Sequence, residues 1–122
     1  MAISVQDLIA KKEAIEAKKK QTYDFETSIG VVTATMPTLS FMTEMSDMED
    51  SSAADQLLIL SMVTAPNLKD KELQQAYDCA EPLDIVRKLF LPGEIGELTK
   101  AILKTAGFGK GIEAKIHGEL KN

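Results

Sequence analysis

The chain has 122 residues, 44% hydrophobic and 27% charged, with 14 basic against 19 acidic side chains and a formal net charge of −5. A chain of this length buries roughly two-thirds of the surface it exposes unfolded, enough for one domain over residues 1–122 with no metal staple, and its single cysteine, Cys79, leaves no internal disulfide to form. No stretch approaches the roughly 20 apolar residues that cross a bilayer, and the start MAISVQDLIA lacks the basic-then-apolar pattern of a signal segment, so the cytoplasm is the expected compartment.

Ser4 and Asp7 have the spacing of a capping box, with Ile3 and Leu8 placed as a hydrophobic staple, which predicts a helix over about 5–20. Its apolar stripe of Val5, Leu8, Ile9 and Ile15 is thin and interrupted by Lys12, so the helix is expected to be largely exposed. The period then changes to two. Tyr23 and Phe25 alternate with Asp24 and Glu26, and Val32, Ala34 and Met36 alternate with Thr33 and Thr35, which reads as a two-stranded antiparallel hairpin at about 22–36. Thr27-Ser28-Ile29-Gly30 supplies the turn, and Pro37, which has no N–H for a ladder, ends the second strand.

From Pro37 onward the pattern is helical to the end. Phe41, Met42, Met45 and Met48 lie near helical spacing, followed by an acidic joint from Asp47 to Ser52. Ser52 and Asp55 form a second capping-box pattern, predicting a core helix from Ala53 to about Thr64, stopped by Pro66. Asn67 with Asp70 starts a short helix through Leu73, Ala76 and Tyr77; Glu81-Pro82 starts another; Leu91-Pro92 ends it and begins the next. That one carries the stripe Ile95, Leu98, Ile102 and Ala106, with Gly107 as its C-terminal cap, and Ile112, Ile116 and Leu120 predict a last helix. The fold class is therefore mainly α with a small β-hairpin (α+β), the helices after the hairpin forming a bundle of about five to six short members.

Charge is distributed unevenly. Residues 1–20 carry a net +2, residues 21–68 hold seven acids and no Lys or Arg, and residues 69–122 balance. A single arginine (Arg87) and a middle without basic residues are a poor match for a phosphate backbone, so nucleic acid is not an expected partner. The acidic stretch fits either a basic partner or a solubilising surface. Four of the six methionines (36, 42, 45 and 48) fall in one thirteen-residue part of it, and a Met-lined surface rimmed by acids suits a basic amphipathic helix; the same methionines also serve as core fillers. The partner contacts expected on this ground are Phe41, Met42, Glu44, Met45, Asp47, Met48, Glu49 and Asp50.

Motifs of catalysis are incomplete. Gly107-Phe108-Gly109-Lys110-Gly111 resembles a phosphate loop, but the glycine required five places before Gly109 is Lys104, and Gly111 stands where Ser or Thr should follow the lysine. Its third dinucleotide-fingerprint glycine would fall at Ile112. With Asp47 as the first position of a calcium loop, the sixth is Ser52 and the twelfth Leu58, so the required glycine and glutamate are missing. Cys79 and His117 are the one available nucleophile and imidazole pair, and nothing in their spacing joins them. No catalytic residue, cofactor or metal is expected.

Several segments resemble the XkdN-like tail assembly chaperones of phages and prophages. They are Ser4-Val5-x-Asp7-Leu8 before the lysine-rich helix end, Lys20-Gln21-Thr22-Tyr23, Thr35-Met36-Pro37-Thr38, Ala65-Pro66-Asn67-Leu68-Lys69, Cys79-Ala80-Glu81-Pro82 and Leu91-Pro92-Gly93-Glu94. The resemblance covers nearly the whole chain and assigns no active residue. It implies a non-enzymatic protein of the bacterial host cytoplasm that binds the tape measure protein, keeps it soluble, helps recruit tail tube subunits and is absent from the finished particle. It also raises a frameshifted longer form, which the codons at Leu120-Lys121-Asn122 would have to allow. Two other readings stand beside it: a structural or tail-completion protein retained in the tail, and a small helix-turn-helix regulator built on residues 70–91 with Arg87 and Lys88 as its basic face.

Overall fold

The computed structural model describes residues 1–117, about half of them helical. Two short helices, α1 (Val5–Ala10) and α2 (Lys12–Lys19), lead into strands β1 (Thr22–Thr27) and β2 (Gly30–Thr35). Then come α3 (Leu39–Ser46), α4 (Ser51–Met62), β3 (Val63–Ala65), α5 (Lys71–Ala76), α6 (Asp84–Leu89) and α7 (Pro92–Thr105). The α+β class, the hairpin and the five helices after it match the expectation from sequence.

Local signals set most element ends. The Asp7 N–H donates to Ser4 Oγ at 3.1 Å and the Ser4 N–H to Asp7 Oδ2 at 3.3 Å, so the first capping box forms as predicted. The predicted single helix over 5–20 is interrupted at Lys11, although the Lys11 N–H donates to Asp7 O and the Ile15 N–H to Lys11 O, so i→i−4 bonds are made on both sides of the break. No residue of either helix is buried. Thr38 caps α3 by accepting from the Phe41 N–H at 3.1 Å, and Pro92 occupies the first turn of α7, where a missing N–H costs nothing. Gly107 (φ +94°) follows the α7 cap, with the Phe108 N–H donating to Leu103 O and the Gly107 N–H to Lys104 O, the paired bonds of a Schellman ending.

Three boundaries differ from the sequence reading. The core helix starts two residues earlier than expected, because Asp50 rather than Ser52 caps it, Asp50 Oδ1 accepting from the Ser52 and Ala53 N–H groups. It also ends at Met62. Val63 to Ala65 leave it as a third strand, antiparallel to β2 with Thr33 opposite Ala65 and Ala34 opposite Val63, so the sheet has order β1-β2-β3. β-branched Val63 and Thr64 and the restriction Pro66 places on Ala65 favour extended backbone there. Finally, the predicted last helix does not form over its described part: Gly111–Ile116 have no regular structure, and Leu120 lies outside the described residues. Gly109 (φ +80°) and Gly111 (φ +69°) interrupt helical backbone just before it, and Ile112 and Ile116 are exposed, so over the described residues no apolar burial offsets the cost of starting a helix.

The core sits around α4, which buries Ala54, Gln56, Leu58, Ile59, Leu60 and Met62. Val32 and Ala34 of β2, Leu68, Ile85 and Val86 of α6, Phe90, and Leu98 and Ile102 of α7 close over it. Fully burying each Leu or Ile contributes about 1.5–3 kcal/mol, so this cluster carries the fold while α1 and α2 stand outside it. Gln56 and Thr99 are the buried polar residues among those described: the Gln56 Nε2 donates to Ser52 Oγ at 3.3 Å and the Thr99 hydroxyl to Ile95 O at 2.9 Å.

Candidate functional site

The Met-rich segment divides between core and surface. Phe41 and Met45 of α3 pack against the core cluster, and Met48 is half-buried just beyond the helix. Glu44, Asp47, Glu49 and Asp50 are exposed, but the Asp50 carboxylate is already used as the α4 cap. Met42 is half-buried but is not among the residues packed on that cluster. With Met36, Pro37, Thr38, Leu39, Lys19, Ala106 and Phe108 it lines a groove of about 330 Å³. A second hollow of about 400 Å³ adjoins it, sharing Lys19, Met36 and Ala106 and adding Ile15, Lys18, Thr105, Gly107 and Lys110.

The groove is thus built where three distant parts of the chain meet: the end of α2, the Pro37 turn into α3, and the Schellman ending of α7. Thr38 capping aims the first turn of α3 so that Leu39, 82% exposed, and Met42 one turn on share one side. The α7 ending places Phe108, 45% exposed, across from them. Exposed side chains this large are ordinary singly and informative when contiguous. Exposed Ile15 of α2 lines the adjoining hollow, and Val5 and Leu8, three apart on one face of α1, are exposed as well.

This geometry changes the rim expected from the sequence. Acids surround the far end of α3, whereas the groove that Met42 lines has lysines at its edge and no Asp or Glu among its lining residues. Met36, Leu39, Ala106 and Phe108 were not among the expected contacts. The signal for Phe108 was present, since a residue just beyond a capping glycine often makes an apolar contact; Leu39 and Ala106 required knowledge of which helix ends meet.

Two other hollows are more polar. One holds Ser51, Ser52, Asp55, Gln56 and Arg87 beside Phe90 and Ile95, and burial there pushes the Asp55 carboxyl up. The other lies between β1 and α7 and carries Asp24, Glu26, Glu94 and Glu97. Cys79 is half-buried against the core, and His117 is exposed in the irregular stretch after α7. Among the described residues no group of three His, Cys, Asp or Glu is placed to hold a metal ion, and no helix is long and apolar enough to cross a membrane. Arg87, which a DNA-reading helix would need free, pairs with Asp84 at 2.6 Å.

The family whose model matches this chain is described as phage XkdN-like tail assembly chaperone protein, and the match spans residues 9–120. No curated protein and no solved structure matches the chain.

Proposed function

The chain belongs to the phage XkdN-like tail assembly chaperone family, and from that premise we propose that it binds the tape measure protein, keeps it soluble, and helps recruit tail tube subunits to it. It acts in the host cytoplasm, as one domain over residues 1–122, without making or breaking covalent bonds, and leaves before the tail is finished. The observation that supports this reading is the apolar groove of Met36, Leu39, Met42, Ala106 and Phe108, with Ile15 exposed in the hollow beside it. A long helix with apolar stripes aggregates unless they are covered, and a small domain of net charge −5 both covers and solubilises it.

Within the Met-rich segment we assign direct contact to Met42, with Glu44, Asp47, Met48, Glu49 and Asp50 flanking it and Phe41 and Met45 holding α3 in place. An exchange with tube subunits needs an interface of modest size, at or below the roughly 1,600 Å² of standard complexes. The test is co-expression with the adjacent tape measure protein. Soluble tape measure retained on the tagged chain supports the reading; tape measure that is equally soluble without the chain, or never captured by it, overturns it. Stoichiometric amounts of the chain in purified tails would instead assign it a structural role.

A further inference from the structure

The groove and its adjoining hollow present Lys18, Lys19 and Lys110 around an apolar floor, with no carboxylate among the lining residues. In a chain of net charge −5 this is a local reversal of sign. The ion pairs among the described residues are Arg87 with Asp84 and Lys100 with Glu97, so these three ammonium groups enter none of them. The walls are the helices α2, α3 and α7, and an apolar trough between helices is matched by side chains at i, i+3, i+4 and i+7 of another helix.

We propose that this groove takes an amphipathic helix whose apolar stripe is flanked by Asp and Glu. The proposal rests on the reading of this surface as the place where the partner docks, and adds the partner's charge. Docked carboxylates would meet the lysines at the rim, whereas a basic helix would bring like charges together and strip water from ammonium groups without compensation. Exposed rim pairs are individually weak, so the effect is one of preference: three of them together give about a tenfold difference in affinity.

The test uses the full chain and two labelled synthetic helical peptides with the same leucine stripe, one flanked by glutamates and one by lysines, followed by fluorescence anisotropy. The glutamate peptide should bind about tenfold tighter at low salt, and the advantage should shrink when salt is raised to about 0.5 M. Lys18→Glu/Lys19→Glu/Lys110→Glu should reverse the preference. Should that variant fail to fold, the glutamine triple should abolish the preference instead. Equal or tighter binding of the lysine peptide to the native chain overturns the charge assignment, as does a failure of both peptides to bind. Loss of both peptides on Leu39→Ser/Phe108→Ser supports the location, and unchanged binding overturns it. Co-expression separates the two ideas: tape measure captured by the native chain and released by Leu39→Ser/Phe108→Ser, but held more tightly by the lysine variants, would keep the chaperone reading and remove this one.

Discussion

The carboxylate of Glu94 holds Ser28, accepting the Ser28 N–H at 2.7 Å and the Ser28 hydroxyl at 2.6 Å. It also accepts the Leu91 N–H at 3.2 Å, so one side chain both caps the first turn of α7 and clamps the hairpin turn to it. The contact joins residues 66 apart in sequence. Glu94→Ala should therefore lower Tm by several degrees, or about 1–2 kcal/mol, with the hairpin's amides exchanging faster than those of α4. Differential scanning calorimetry and hydrogen exchange check this; an unchanged Tm would show the clamp to be worth nothing.

Acid should weaken the fold through the same residue. The Ser28 hydroxyl, and after it the Ser28 and Leu91 N–H groups, hold the Glu94 carboxyl below its usual value. The Glu81 N–H, followed by the Arg87 guanidinium, does the same for Asp84. A carboxyl whose folded value is depressed contributes stability above its unfolded value, about 4, and loses it as pH falls through the folded value. Asp55 works in the opposite sense, since burial raises it and acidification relieves that cost. The urea midpoint should fall between about pH 5 and pH 3, and Glu94→Gln, already weaker at neutral pH, should lose less over that range.

Met42 and Met45 lie one turn apart on α3 and should separate binding from folding. Met45 packs on the core and Met42 lines the groove. Met45→Ser should cost about 1–3 kcal/mol, while Met42→Ser should leave Tm within about 0.5 kcal/mol of native and weaken tape measure capture about tenfold. Thermal melts and a pull-down with the purified variants read the two effects. Equal losses of stability would remove the distinction.

Gly107 tests how strongly the α7 ending is required. Its φ of +94° suits glycine, and a Cβ added there meets nothing within 4 Å, so any cost comes from the backbone alone. Gly107→Ala should destabilise by about 1 kcal/mol, and because the residue lines the hollow next to Phe108, it should also loosen peptide binding in the groove. Chemical denaturation measures the first effect and the anisotropy titration the second.

Leu58→Ala offers the contrasting case of a residue remote from the groove. Leu58 is fully buried in α4, and its truncation should cost about 2–5 kcal/mol by urea denaturation. The residual folded fraction should bind the same peptide with native affinity.

What the chain determined by itself lies at short range. The Ser4 and Asp7 capping box, the period-two alternation from Tyr23 to Met36, Pro92 opening α7 and Gly107 closing it were legible because each depends on backbone groups within a turn or two of the residue concerned. The same short-range logic misplaced the cap of α4, where Asp50 and Ser52 compete for the same N–H groups, and carried that helix through Val63 and Thr64, whose extended state is completed by bonding to β2, some thirty residues earlier. The groove was legible only in part. Met42 was expected to make contact, but its neighbours Lys19, Met36, Ala106 and Phe108 come from elements that no periodicity relates. Tertiary packing decided that lysines rather than glutamates edge the groove, because burial of the α4 core selects which helix ends meet, and the charges carried by those ends follow them.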